Sequence, residues 1–267
     1  MTSADHDDSP AAPAGTQAIR RALGTLKLLA EDGGALSVNR IATRLGLSPG
    51  TANRMVRALL AEGLVAHDPR TDTYYLGAGT VLLGQAAQQG FGLDKSLPIL
   101  EALNAETEES VNLAVREKAE SVVMLRVQST LALRFEQRVG ARFPLYSTAS
   151  GKAILAHSPD ADAYLDSLPE RLEPLAPGTV TSRVELARQL AKIRRSGYSI
   201  DKEENVAGVR CVGAPVLDAD GRAQAALVIQ VPTVRMPPER VRELGARVVT
   251  AAKEIARFIP LDRIMSR

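Results

Sequence analysis

Between Asp32 and Glu62 the chain carries four arginines, Arg40, Arg44, Arg54 and Arg57, and no acid. Cations without nearby counter-charges suit a polyanion. Guanidinium groups that release counterions from phosphates gain affinity regardless of sequence, while Arg and Asn also match the edges of guanine and adenine. Elsewhere the reactive residue types stand alone. Ser150 lies two residues before Lys152, as a Ser–Lys nucleophile would, but no oxyanion motif accompanies them, and Lys152 reads as a surface or helix-packing residue. Cys211 sits in an apolar run with His157 as its one candidate base, which suits a buried wall better than a nucleophile. Glu203 and Glu204, as neighbours on a strand, would point to opposite faces, so they read as a turn or interface feature. His6, His67 and His157 lack ligand spacing and one cysteine excludes multi-cysteine sites, so neither a metal nor a cofactor is expected. The string from Gly77 to Gly84 lacks the spacing and the strand–loop–helix setting of a dinucleotide loop; it reads as small-residue packing.

The basic residues need elements to hold them. Ile19, Leu23, Leu26 and Leu29 or Ala30 recur at helical spacing up to the stop at Asp32-Gly33-Gly34. Ser37 caps a second helix with Val38, Ile41, Ala42 and Leu45 on one face, ended by Gly46. Ser48 caps a third, with Pro49 at its first position and Gly63 beyond its end. Its polar face carries Ser48, Gly50, Thr51, Asn53, Arg54 and Arg57, opposite Met55, Val56, Leu59 and Leu60. Residues 64–67, the turn DPRTD and residues 73–76 form a hairpin. Three helices and a two-stranded wing over residues 16–76 make a winged helix-turn-helix, whose expected partner is double-stranded DNA. Within it eight basic residues face five acidic ones, a balance of +3. The opening of the third helix offers free N–H groups to a phosphate, and Arg20 on the first helix and Arg70 and Thr73 on the wing are placed to touch the backbone.

Residues 1–15 have almost nothing to bury and read as a disordered arm; residues 77–90 read as an uncharged linker helix. From 91 to 260 helices and strands mix. SLPILEALNAET and TASGKAILAH are helical, and VNLAVRE, SVVMLRVQ and ALRFEQRV are strands. Ser182 opens a helix carrying Val184, Ala187, Leu190 and Ile193, which Gly197 ends. Residues 209–217 and 223–231 form a hairpin through Asp218-Ala-Asp-Gly221, and a last helix follows Pro237-Pro238 with Val241, Leu244, Val248, Ile255 and Phe258 on one face. The fold class is therefore α/β (α+β), with a mostly antiparallel sheet in the second domain.

The 267 residues suit about two domains. At 45% hydrophobic and 24% charged the chain has ordinary globular composition. No apolar run approaches the roughly 20 residues of a membrane span, and the acidic amino terminus lacks the basic, then apolar, start of a signal peptide, so a soluble, cytoplasmic chain without a membrane partner is expected.

From about residue 17 to 260 the chain resembles the IclR family of bacterial transcriptional regulators. The resemblance rests on LSPGTANRMVRALLAEGLV and YYLGAGTVLLG, on TASGKAILA at 148–156, and on IRRSGYSIDKEENVAGVRCVGAPVLDADG at 193–221. It implies a GAF-like domain over residues 91–260 that binds a small-molecule effector, and a homodimer or dimer of dimers on a palindromic operator. It also implies an effector pocket around Ala149, Ser150, Gly151, Asp201 and Cys211. Gly151 and the helix opening at Ser150 would let a carboxylate approach backbone N–H groups. Where family members that hold small keto acids carry two serines, this chain has Val228 and Gln230, which favours an aromatic acid or amide near Phe135 and Phe143. The expected function is a ligand-responsive repressor of a catabolic operon. The alternative is an enzyme using the second domain, with the helical region as a scaffold.

Overall fold

The computed structural model describes residues 16–260; residues 1–15, expected to be a disordered arm, lie outside them. Two compact units part between Ala87 and Gln88.

In the first unit, α1 (Gln17–Asp32) ends at Gly33, which takes the left-handed conformation at φ 64°. Ser37 caps α2 (Val38–Leu45), and Ser48 caps α3 (Pro49–Ala61). The wing pairs β1 (Val65–Asp68) with β2 (Thr73–Leu76), Val65 opposite Leu76, and Leu36 bridges to Tyr74 beside it. Leu28, Leu29, Leu36, Ile41, Val56, Leu59 and Val65 form the core. Two expected stripes shift. On α1 the buried residues are Thr25, Leu28 and Leu29, leaving Ile19 62% and Leu23 53% exposed. On α3 Ala52 replaces Leu60, which is exposed. The next helix, α4 (Ala78–Gly90), buries no side chain. Its opening needs glycine: a Cβ on Gly77 would lie 2.4 Å from the Gly63 carbonyl oxygen.

The second unit is built on a six-stranded sheet in the order β5-β4-β3-β8-β7-β6, antiparallel throughout. Its strands are β3 (Ser110–Glu117), β4 (Glu120–Val127), β5 (Arg142–Pro144), β6 (Ser199–Lys202), β7 (Val209–Leu217) and β8 (Ala223–Pro232). Alternation along the strands decides the layers. Val111, Leu113 and Val115 share one core with Val212, Ala214, Leu227 and Ile229, against α5 (Leu93–Thr107) and α9 (Pro238–Ile255). The intervening residues face α6 (Ala149–Ala156), over which α8 (Arg183–Ser196) packs. The short α7 (Ala161–Ser167) adds Tyr164 to the apolar cluster under α8.

The expected strand at 132–139 does not form; only β5 pairs with β4 there. The carbonyls of Phe135 and Gln137 accept instead from the Arg126 guanidinium, so a side chain replaces the ladder. On α8 the buried residues are Leu186, Leu190 and Ile193, and Val184 is exposed. Phe258, expected on the buried face of the last helix, lies past its end and is exposed.

Candidate functional site

The basic face is organised by α3. Ser48 Oγ accepts the Thr51 N–H at 3.2 Å, and Arg54 Nη2 donates to Thr51 Oγ1 at 3.5 Å. Burying Ala52, Val56 and Leu59 turns Gly50, Asn53, Arg54 and Arg57 outward, and Arg40 on α2 is exposed as well. Three of the neighbouring acids are engaged elsewhere: Asp32 with Arg44 at 3.4 Å, Asp68 with Arg70 at 3.5 Å, and Asp72 with His67 at 2.9 Å. Among the described residues Arg40, Arg54 and Arg57 form no ion pair, so their charge is uncompensated locally. Arg44, one of the four arginines of the acid-free stretch, is tied to Asp32 instead. Arg70 folds back on Asp68, whose carboxyl its N–H groups hold below the usual range. Thr73 is half-buried, and Arg20 is exposed in the first turn of α1.

The second site lies on the sheet face under α6. Register places Asp201 opposite Cys211 and Cys211 opposite Gln230, with Asn112 opposite Val228 in the next row. The backbone of α6 comes close here: a Cβ on Gly213 would lie 3.1 Å from the Ala149 carbonyl oxygen, which accepts from Ser199 Oγ at 2.6 Å. Together these elements enclose a cavity of about 30 Å³. Phe135, Phe143, Ala149, Ser150, Asp201, Cys211, Val228 and Gln230 line it, as expected of a pocket; Gly151 does not. Gly151 is needed by packing, since its Cβ would meet the Leu145 carbonyl oxygen at 2.2 Å, and its N–H is taken by Thr148 Oγ1 at 3.0 Å.

Burial dominates the electrostatics. It pushes the Asp201 carboxyl up to about 7, against the pull of the Glu204 N–H, 2.7 Å from Oδ1, and of Lys152. It also pushes the Cys211 thiol well up, and the adjacent Asp201 adds to that shift. With its carboxyl near 7, Asp201 is partly protonated at neutral pH, and in that form it offers a donor and adds no negative charge, which suits a pocket for an anion. Behind it Lys152, expected at the surface or in helix packing, is fully buried. Its Nζ donates to Glu204 Oε1 at 2.6 Å, the Ile200 carbonyl at 2.7 Å and Gln189 Oε1 at 2.9 Å. Glu203 and Glu204 do form a turn, with Glu203 at φ 64° and Glu204 turned inward.

At the polar end of the pocket sequence reasoning found Gln230 but missed Asn112 and Gln137. Asn112 Nδ2 and Gln230 Nε2 both donate to Gln137 Oε1, at 2.6 and 3.0 Å, leaving Asn112 Oδ1 and Gln230 Oε1 buried without a partner. The available signal was an amide inside an otherwise apolar strand, on the same face as Ser110 and Ala114. Among the described residues no three His, Cys, Asp or Glu side chains gather to hold a metal ion, and no helix is long and apolar enough to cross a membrane.

Two family descriptions fit the chain: "Bacterial transcriptional regulator IclR C-terminal" over residues 93–257 and "IclR helix-turn-helix domain" over residues 18–69. The chain is 32% identical to the HTH-type transcriptional regulator BhcR of Paracoccus denitrificans, over 91% of its own length and 87% of that protein. It is 31% identical to the transcriptional repressor IclR of Escherichia coli, over 90% of its own length and 88% of the relative. A solved structure of an IclR homologue from Microbacterium hydrocarbonoxydans, complexed with 4-hydroxybenzoate, shares the fold with a TM-score of 0.76 at 24% identity, covering 90% of this chain and 99% of that one.

Proposed function

The chain belongs to the IclR family of bacterial transcriptional regulators, and from that premise we propose that it is an effector-responsive repressor of a catabolic operon. The exposed α3 face carries this reading. Asn53, Arg54 and Arg57 are exposed, Arg54, Arg57 and Arg40 form no ion pair, and the nearby Asp32, Asp68 and Asp72 are already paired. Arg40 and the α3 amino terminus at Ser48, Gly50 and Thr51 meet phosphates; Asn53, Arg54 and Arg57 reach base edges in the major groove. Arg20, Arg70 and Thr73 add backbone contacts.

The operator is a palindrome and the protein a homodimer or a dimer of dimers. Ile19 and Leu23 on α1 and Val81, Leu82 and Leu83 on α4 are exposed apolar side chains that a second copy would cover. The effector is a small organic acid, best an aromatic acid or amide, held under α6. Apolar walls at Phe135, Phe143 and Val228 suit a ring, Asp201 in its protonated form tolerates a carboxylate, and a neighbour of the same fold holds 4-hydroxybenzoate. The effector alters operator occupancy through unequal affinity for two states of the dimer, which differ in the spacing of their recognition helices.

The test is a gel-shift titration at low ionic strength with the promoter beside the protein's own gene, followed by binding-site selection with Arg54→Ala. Binding that the substitution weakens, with relaxed choice at one base pair per half-site, supports the reading. Absence of binding by the unsubstituted chain, with or without aromatic acids, overturns it.

A further inference from the structure

We infer that Asn112, Gln137 and Gln230 form a subsite that reads a hydrogen-bond donor on the effector, a hydroxyl, amino or amide N–H group away from its carboxylate. This deepens the proposed function and rests on its reading of the pocket as the seat of an organic acid. The three amides come from different places: Asn112 from β3, Gln230 from β8, and Gln137 from the irregular segment after β4. Their amino groups converge on one acceptor. Asn112 Nδ2 and Gln230 Nε2 both donate to Gln137 Oε1, so the two remaining carbonyl oxygens, Asn112 Oδ1 and Gln230 Oε1, are left without partners. Asn112 is 2% and Gln230 8% exposed, and both side chains line the cavity.

Two buried acceptors without donors are costly, and a cavity of about 30 Å³ has room for water to satisfy them. A ligand that enters must replace that service. One carrying a donor restores the hydrogen bonds; one that is apolar or acceptor-only at that end expels water and leaves the carbonyls bare. Discrimination follows from the penalty on the wrong ligand as much as from the bond to the right one. The cavity is also too small for a ring without displacement of lining side chains. Gln137, on a segment outside the sheet ladder, is the member of the cluster that strand register does not fix.

The experiment is calorimetric titration of the full chain with benzoate and its 3- and 4-substituted hydroxy, amino and nitro derivatives. The expected result is that a hydroxy or amino derivative binds at least about tenfold tighter than both benzoate and the matching nitro compound. Gln230→Met should collapse that preference; should this variant not fold, the ligand series on the unsubstituted chain decides alone. Equal affinity across the series overturns the donor subsite while leaving the acid pocket standing. Preference for the nitro compounds also overturns it, because rotated amides would then be presenting N–H groups. Binding of none of the acids overturns the inference together with the reading on which it rests.

Discussion

Lys152 Nζ and Glu204 Oε1 lie 2.6 Å apart with both side chains sealed from solvent. The lysine belongs to α6 and the glutamate to the turn after β6, so the pair fastens the pocket's roof to the turn beside Asp201. A buried pair contributes little against an apolar replacement, yet removing one member strands the other charge, at about 3–5 kcal/mol. Lys152→Met should therefore lower unfolding free energy in urea by that order, and adding Glu204→Leu should recover most of it. A double variant no more stable than the single one would show that the pair is not coupled.

Asp201 gives the fold a pH dependence. Its carboxyl is pushed up to about 7 by burial and returns to an ordinary value near 4 on unfolding. Between those limits the folded chain holds a proton that the unfolded chain has lost, so stability falls as pH rises from about 4 to 7 and levels off above. Asp201→Asn keeps a carbonyl to accept the Glu204 N–H and removes the titration. Melting temperatures of the two proteins should nearly coincide at pH 4 and diverge by a few degrees in favour of the variant at pH 8. A gap that stays constant with pH would contradict this.

Gly151 is fixed by backbone. A Cβ there would stand 2.2 Å from the Leu145 carbonyl oxygen and 2.4 Å from Leu145 Cα, neither of which is a flexible side-chain end. Gly151→Ala should cost about 1–3 kcal/mol or more in denaturant unfolding, as overpacking does. Gly50→Ala, whose Cβ meets nothing within 4 Å at the exposed start of α3, should leave stability within about 0.5 kcal/mol. Under the proposed DNA contact the same substitution should weaken operator affinity, because a methyl group would stand between helix and phosphate.

How legible the molecule was depends on whether a signal was local. Ser37, Ser48 and Ser182 each accept the backbone N–H three residues on, and Gly33, Gly46 and Gly197 each take the left-handed conformation at a helix end. Caps are contacts within a few residues, so helix limits could be read directly. Which face of a helix is buried depends on what meets it. Ile19, Leu23 and Val184 have helical spacing, but no part of their own unit covers them. Residues 132–139 carry strand composition, yet Arg126 from β4 takes two of their carbonyls, a contact made after the chain folds back. Lys152 and Glu204 lie 52 residues apart in the chain, and Asn112 and Gln137 lie 25 apart. The basic face was readable because four arginines are near neighbours in sequence; the amide cluster was not, because Asn112 and Gln230 meet Gln137 only when the segment after β4 folds back over the sheet.

Arg126 supplies the last prediction. Its guanidinium donates to the carbonyls of Phe135, at 2.6 Å, and Gln137. Two pocket-lining side chains thus hang on a segment whose backbone is held by guanidinium groups, Arg126 at Phe135 and Gln137 and Arg235 at Leu133, and not by a ladder. Hydrogen bonds from a charged donor contribute about 1.5–3 kcal/mol each. Arg126→Met keeps the apolar stem and removes the donors, so the segment should open more often while the sheet stays closed. Hydrogen exchange should then speed up by about tenfold or more across residues 129–141 and remain unchanged in β3 and β8. Affinity for an aromatic acid should drop alongside, because binding must first restore an order that the guanidinium provides in advance. Operator affinity without ligand should not move, since Arg126 and α3 belong to different units. Exchange that quickens evenly over the whole second unit would mean Arg126 supports the sheet itself and not the pocket wall.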